Sequence, residues 1–122
     1  MFLKLNHQKL EVYNASRIFV LECYKLTKSF PSNERFGMIS QVRRAALSVH
    51  LNIAEGASRK SEKERKRYYE IARGSIIEID AALDIATELD YLKELNIELL
   101  GDSMVNCFKL LSGLINSNSD TN

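Results

Sequence analysis

The chain is poor in everything that interrupts a helix. Its 122 residues contain one proline, Pro31, and five glycines, so long helices can run without a break. Tryptophan is absent, and cysteine occurs twice, at Cys23 and Cys107. Their wide separation excludes C-x-x-C chemistry and predicts buried free thiols. No apolar run approaches the roughly 18 residues that span a bilayer. The opening MFLKLNHQKL lacks the apolar core and cleavage site of a signal peptide. A reducing cytoplasm is the expected setting, and the sequon Asn14-Ala15-Ser16 is then a chance match. Catalytic signatures are missing as well. There is no H-E-x-x-H, no Glu-x-x-His of the di-iron bundles, no phosphate-binding glycine loop and no Ser-His-Asp or Cys-His order. We expect no catalytic residue, no metal and no cofactor. An enzyme here would need a site assembled from dispersed acids.

What is present is helical periodicity. From Asn6 to Ser29, Val12, Ala15, Phe19, Cys23 and Leu26 recur at steps of three and four, which mark one helix face. Pro31 ends this segment, and Ser32 or Asn33 can cap the next. The second segment, Glu34 to Ala57, carries Ile39, Val42, Ala46, Val49, Ile53 and Gly56 as a bundle seam. Across from that seam runs a polar stripe of Gln41, Arg44, Ser48, Asn52 and Glu55. Leu47, His50, Ala54 and Ala57 form a shoulder that widens the apolar surface. Ser61-x-x-Glu64 is a capping box that opens a third helix reaching about Leu89. Its seam is Tyr69, Ala72, Ile76, Ile79, Leu83 and Ala86. Ile77, Ala81 and Ile85 add a second apolar ridge. The fourth segment, Asn96 to Asn116, places Ile97, Leu100, Met104, Cys107, Leu111 and Leu114 on one side. Four amphipathic segments with short links predict an all-α, antiparallel up-down-up-down four-helix bundle in one domain, residues 1–116. Residues 117–122 read as a disordered polar tail.

The net charge of +1 conceals a strong asymmetry. Residues 1–42 carry an excess of three positive charges and residues 43–73 an excess of five, whereas residues 74–122 carry an excess of seven negative. Clustered sign steers charged partners, although acidic and basic surfaces of one bundle or of neighbouring copies can also neutralise each other. Arg59, Lys60, Lys63, Arg65, Lys66 and Arg67 surround the start of the third helix, with Lys63 and Arg67 on one face. Arg43, Arg44, Arg59, Lys60, Lys63 and Arg67 are the candidate contacts to nucleic-acid phosphates. The competing reading is a solubilising surface paired locally to Glu62, Glu64 and Glu70. Tyr68 is a candidate platform for a base, set against simple packing. Arg44 and Glu55 can also pair, within the helix or between copies, and so fix orientation.

A third helix this apolar predicts contacts between copies, with a tightly packed monomer as the alternative. The candidate interface residues are Leu47, Asn52, Glu55, Ile77, Ala81 and Ile85. The expected partners are therefore the protein itself, RNA or DNA, and possible partner proteins, with no membrane. A protein-interaction scaffold without nucleic-acid binding is the rival function.

One family is similar along nearly the whole chain, roughly Val12 to Ile115. The matching residues are Phe30-Pro31, then Gln41-Val42-Arg43-Arg44-Ala45-Ala46-Leu47-Ser48, then Asn52-Ile53-Ala54-Glu55-Gly56. They continue through Arg59, Ser61, Lys63-Glu64, Ala72, Gly74-Ser75 and Glu78 to Leu89-Asp90-Tyr91-Leu92. On these the chain resembles the 23S rRNA intervening-sequence proteins, also called S23-type four-helix bundle proteins. The resemblance implies a bacterial bundle that assembles as a ring-shaped homopentamer. It also implies kinship with accessory proteins of diversity-generating retroelements, which bind nucleic acid and a reverse transcriptase. His50 stands where many relatives have proline, so the helix kink that proline implies there is expected to be absent.

Overall fold

The structure is a computed structural model, and it describes residues 1–117. Four helices form the body: α1 Glu11–Thr27, α2 Met38–Ala57, α3 Glu62–Glu88 and α4 Glu98–Asn116. They pack as a four-helix bundle in which each helix meets the next and α4 returns to α1. No strand occurs among the described residues, and no helix among them is long and apolar enough to cross a membrane. The expected tail beyond Ser117 lies outside the described residues.

Cross-helix contacts show the antiparallel register. Ser75 donates to Ser48 across α3 and α2 at 2.9 Å, and Gln41 donates to Glu78 at 2.6 Å. Arg43 on α2 reaches Thr27 on α1, and Arg73 on α3 reaches Ser112 on α4. The seams read from three- and four-residue spacing face inward. All five α1 seam residues are buried, as are all six of α3. In α2, Val42, Ala46, Val49, Ile53 and Gly56 are buried and Ile39 is half-buried. In α4 the seam drifts: Ile97 is exposed and Ile115, not Leu114, closes the core. A straight helix turns 3.6 residues per turn, so a strict 3,4 pattern wanders off the core over its length.

Three local expectations need correction. The first helix begins at Glu11 and not Asn6, because Leu10 is extended (φ −72°, ψ 135°) and separates α1 from a one-turn 3-10 helix, Asn6–Lys9. Asn14 stabilises that break by donating to the carbonyls of Gln8 and Leu10. The second helix begins at Met38 and not Glu34, after a 3-10 turn over Ser32–Glu34. Its cap is Glu34, whose Oε1 accepts from the Met38 amide at 3.2 Å, not Ser32 or Asn33. The other oxygen of Glu34 accepts from the Tyr91 hydroxyl at 2.8 Å, tying the α3–α4 link to the start of α2.

The third helix starts as the capping box requires, with Ser61 Oγ accepting from the Glu64 amide at 3.1 Å. Gly56 lets it approach α2. A Cβ there would stand 2.8 Å from Tyr68 Cβ, 3.1 Å from the Tyr69 ring and 3.3 Å from the Arg65 carbonyl. At the other end α3 stops on Asp90, a non-glycine residue at φ 64°. The Tyr91 amide there closes back on the Ala86 carbonyl at 2.9 Å, a left-handed helix ending.

Candidate nucleic-acid interface

The cationic run lies on the tight turn between α2 and α3, and much of it is engaged in building that turn. Arg59 donates to Glu55 at 2.6 Å. Its guanidinium carbon lies 5.1 Å from the Tyr68 ring centroid, and its buried Nε has no hydrogen-bond partner among the described residues. Arg65 donates from one nitrogen to the carbonyls of Arg59 and Lys60, at 3.0 and 2.8 Å. Those carbonyls follow the end of α2, where acceptors otherwise go unmet. Lys66 pairs with Glu62 at 3.2 Å and also reaches the Ser117 carbonyl at 2.7 Å. Of the six basic residues around this turn, three are therefore structural.

Lys60, Lys63 and Arg67 remain. All three are exposed. None makes a side-chain hydrogen bond or ion pair among the described residues. Lys63 and Arg67 share a helix face, as their spacing requires, and Lys60 precedes them on the turn. Of the three acids set against this cluster, Glu62 is paired, while Glu64 and Glu70 hold no cation within 4 Å. Tyr68 is half-buried with Arg59 over its ring, and Tyr69 is buried. Arg59 thus already occupies one face of the Tyr68 ring.

The two α2 arginines do not join this end. Arg43 turns toward α1, with Nε donating to Thr27 Oγ1 at 2.8 Å and the guanidinium 4.7 Å from the Tyr24 ring centroid. Arg44 is exposed and carries no partner among the described residues. It stands 13 residues before the end of α2, about 20 Å away along the axis. The interface candidates also separate. Leu47, Ile77, Ala81 and Ile85 are exposed, and so is Glu55, which holds Arg59. Asn52 is half-buried and donates back to Ser48.

Sequence reasoning left out one cluster. His50 on α2 lies 2.7 Å from Ser16 Oγ on α1, and Ser16 also bonds the Tyr13 carbonyl at 2.8 Å. Ser16 has one proton; donating it to Tyr13 makes the His50 Nδ1–H the donor in the shorter bond. The Tyr13 ring lies between His50, tilted against it at a centroid distance of 4.4 Å, and His7, which meets it edge to face at 4.8 Å. Burial pushes the His50 pKa below its usual value, and Arg17 and His7 push the same way. Ser16 is fully buried, so this hydroxyl–imidazole pair clasps two helices. It also accounts for histidine in the middle of α2, which is helical throughout. Cys23 and Cys107 are buried free thiols, each pushed up to about 12 by burial, with Cys107 a further influence on Cys23. Among the described residues no group of three or more His, Cys, Asp or Glu is placed to hold a metal ion.

The fold and its surface define a class first: a small all-helical four-helix bundle that carries three exposed, unpaired cations at its α2–α3 turn. The chain belongs to the 23S rRNA-intervening sequence protein family, whose model matches residues 8–113. No curated protein matches it.

Proposed function

We propose that the protein is a non-enzymatic, homo-oligomeric bundle of the cytoplasm that binds the phosphate backbone of RNA or DNA through Lys60, Lys63 and Arg67. The observation that carries this reading is the position of those three cations. They are exposed at one end of the bundle, beside a turn whose other three cations are each engaged in a local contact. Cations without local carboxylate partners release phosphate counterions on binding, and that release dominates affinity for nucleic acids. Three contacts per copy position a duplex or structured strand and read no sequence. They are also weak singly. Repetition of the same end around an assembly, five times in the homopentamer that the resemblance implies, raises avidity without new contacts.

Support for assembly comes from the apolar side chains left outside the core, including Leu47, Leu51, Ile71, Ile77 and Ile85. A partner protein is the second reading, favoured by Leu99 on the α1 flank of α4 and Val105 on its α3 flank, each more than half exposed. Charge reversal separates the two. Lys63→Glu with Arg67→Glu is expected to abolish binding to a fluorescent RNA or DNA duplex at low salt while leaving helicity and assembly unchanged. Undiminished binding by that variant would remove the cationic turn as the site.

A further inference from the structure

The residues before α1 lie outside the four-helix body and are fastened to it through one aromatic cluster. Leu10 breaks the helix, and the 3-10 turn Asn6–Lys9 ahead of it packs on both α1 and α2. The fastening is thin. The Gln8 carbonyl accepts from Asn14 at 3.3 Å, and the His7 ring meets the Tyr13 ring edge to face. The Gln8 side chain turns back on its own segment and donates to the Leu3 carbonyl at 2.8 Å. No residue of the turn is fully buried, and Met1, Phe2, Leu3 and Leu5 are exposed. The bundle core therefore does not depend on this segment.

Behind His7 the cluster continues into α2. Tyr13 also lies against His50, which the Ser16 hydroxyl holds at 2.7 Å. Two imidazoles from different elements thus share one tyrosine ring. The charged groups around them have one sign. Arg17, one turn further along α1, has its guanidinium 5.9 Å from the Tyr13 centroid, and Arg17 and His7 are the groups that act on His50. The same-face neighbours of His50 on α2 are Ala46, Leu47, Ile53 and Ala54. No acid precedes Glu11 in the chain; Glu11 lines the groove between α1 and α4, and Glu55 holds Arg59. His50 Nε2 has no hydrogen-bond partner among the described residues, so a proton added there finds no protein acceptor. A cation is attracted to an aromatic face, but the surroundings on balance disfavour charge on His50, with burial the largest cause. The turn that packs on α2 supplies part of that burial.

We infer that residues 1–9 form an acid-released strap, closed over the α1–α2 face while His7 and His50 are neutral and freed when both rings take up protons. The sign follows from linkage. Opening uncovers His50 and returns it toward its ordinary value of 6.5, whereas closure lowers it. The open form therefore binds the proton more readily. Closure is complete above pH 6.5 and weakens as pH falls from there through the closed-form value. Protonation of His7 acts in the same direction, because Arg17 and two imidazolium rings then surround one tyrosine with no carboxylate among them. The freed strap carries Lys4, His7 and Lys9, no acid, and the apolar Met1, Phe2, Leu3 and Leu5. Acid thus converts a docked turn into a cationic, apolar arm and leaves the four helices folded.

The test is NMR on the full chain between pH 8 and pH 5, following the histidine ring shifts together with backbone order parameters. In the wild type, ring protonation and loss of order over Asn6–Lys9 should share a midpoint. Order parameters there should fall from about 0.85 to below about 0.6, while those of α3 stay unchanged. The double variant His7→Gln with His50→Gln should keep the strap ordered down to pH 5, because glutamine can still bond Ser16 but does not titrate. Tyr13→Ala should free the strap at pH 8 and raise the His50 titration toward 6.5. A wild-type strap that stays ordered with both rings charged would overturn the inference. So would loosening that persists in the double glutamine variant, or a loss of order in α3 at the same midpoint, which would be acid unfolding of the whole bundle. Should the double variant fail to fold, the wild-type comparison of ring and backbone midpoints still decides.

Discussion

The two ends of the bundle are built from opposite materials. At the α2–α3 end, Gly56 lets the helices touch, Ser61 caps α3 and Arg65 gathers the carbonyls that follow α2. Cations remain there after the turn is complete. At the α3–α4 end, Asp84, Glu88, Asp90, Glu94, Glu98 and Asp102 outnumber Lys93 and the Lys25, Lys28 and Arg35 of the α1–α2 link packed beside it. The link there is longer, and it is held by the left-handed Asp90 and by the Tyr91–Glu34 hydrogen bond. The protein is close to neutral overall but strongly polarised along its length. A polyanion meets an attractive end and a repulsive one, so net charge is a poor guide to its partners.

That contrast can be broken from the cationic end by crowding its turn. Gly56→Ala places a methyl group against Tyr68 Cβ, which is fixed to the α3 backbone and cannot swing away. Overpacking of this kind costs about 2 kcal/mol, and urea denaturation should show a loss of that order. The same substitution at Gly74, where a Cβ meets nothing within 4 Å, should not destabilise; relief of glycine's entropy in mid-helix favours alanine by about 1 kcal/mol. A gentler change is Ser61→Ala, which removes the cap of α3 and should cost about 1 kcal/mol. At the acidic end, Tyr91→Phe removes the hydroxyl that Glu34 accepts, and a loss of about 1 kcal/mol is expected from one such bond. If Ser61→Ala and Tyr91→Phe are both silent, the two ends are not held as described.

The smallest effect concerns pH and lies between the ends. The folded His50 has its pKa depressed below 6.5 by burial, with Arg17 and His7 adding to the effect. Below pH 6.5 the unfolded chain then binds more protons at this position than the folded one does. Its contribution is complete above pH 6.5 and declines as pH falls from there through the folded pKa. Denaturation at pH 7.5 and 5.5 should show this decline in the wild type and a smaller one in His50→Gln. An equal decline in both would assign it to other groups.

Much of the architecture was legible because it rests on periodicity. Phe19, Val49 and Ile79 could be placed in the core from spacing alone, and each is fully buried. The misplaced starts of α1 and α2 depend on contacts that spacing does not encode. Leu10 is extended inside a run of good helix formers, and Glu34 caps from outside the residue types that usually do so. The candidate site was legible as a list of cations but not as a selection among them. Arg43 faces Thr27, 16 positions earlier in the chain, and Arg65 serves carbonyls across a turn. Only three-dimensional placement separates those from Lys60, Lys63 and Arg67. The interface candidates were divided in the same way: Ile77 borders α4, whereas Leu47 is exposed on α2.

The central claim is that unpaired cations at the α2–α3 end hold a phosphate backbone. Salt titration of wild-type binding to duplex RNA and DNA examines it most directly. The account predicts measurable binding at low salt that falls linearly on logarithmic axes, with a slope of about −0.9 for each phosphate neutralised on B-form DNA. Absence of binding at low salt, or binding indifferent to salt, would contradict it.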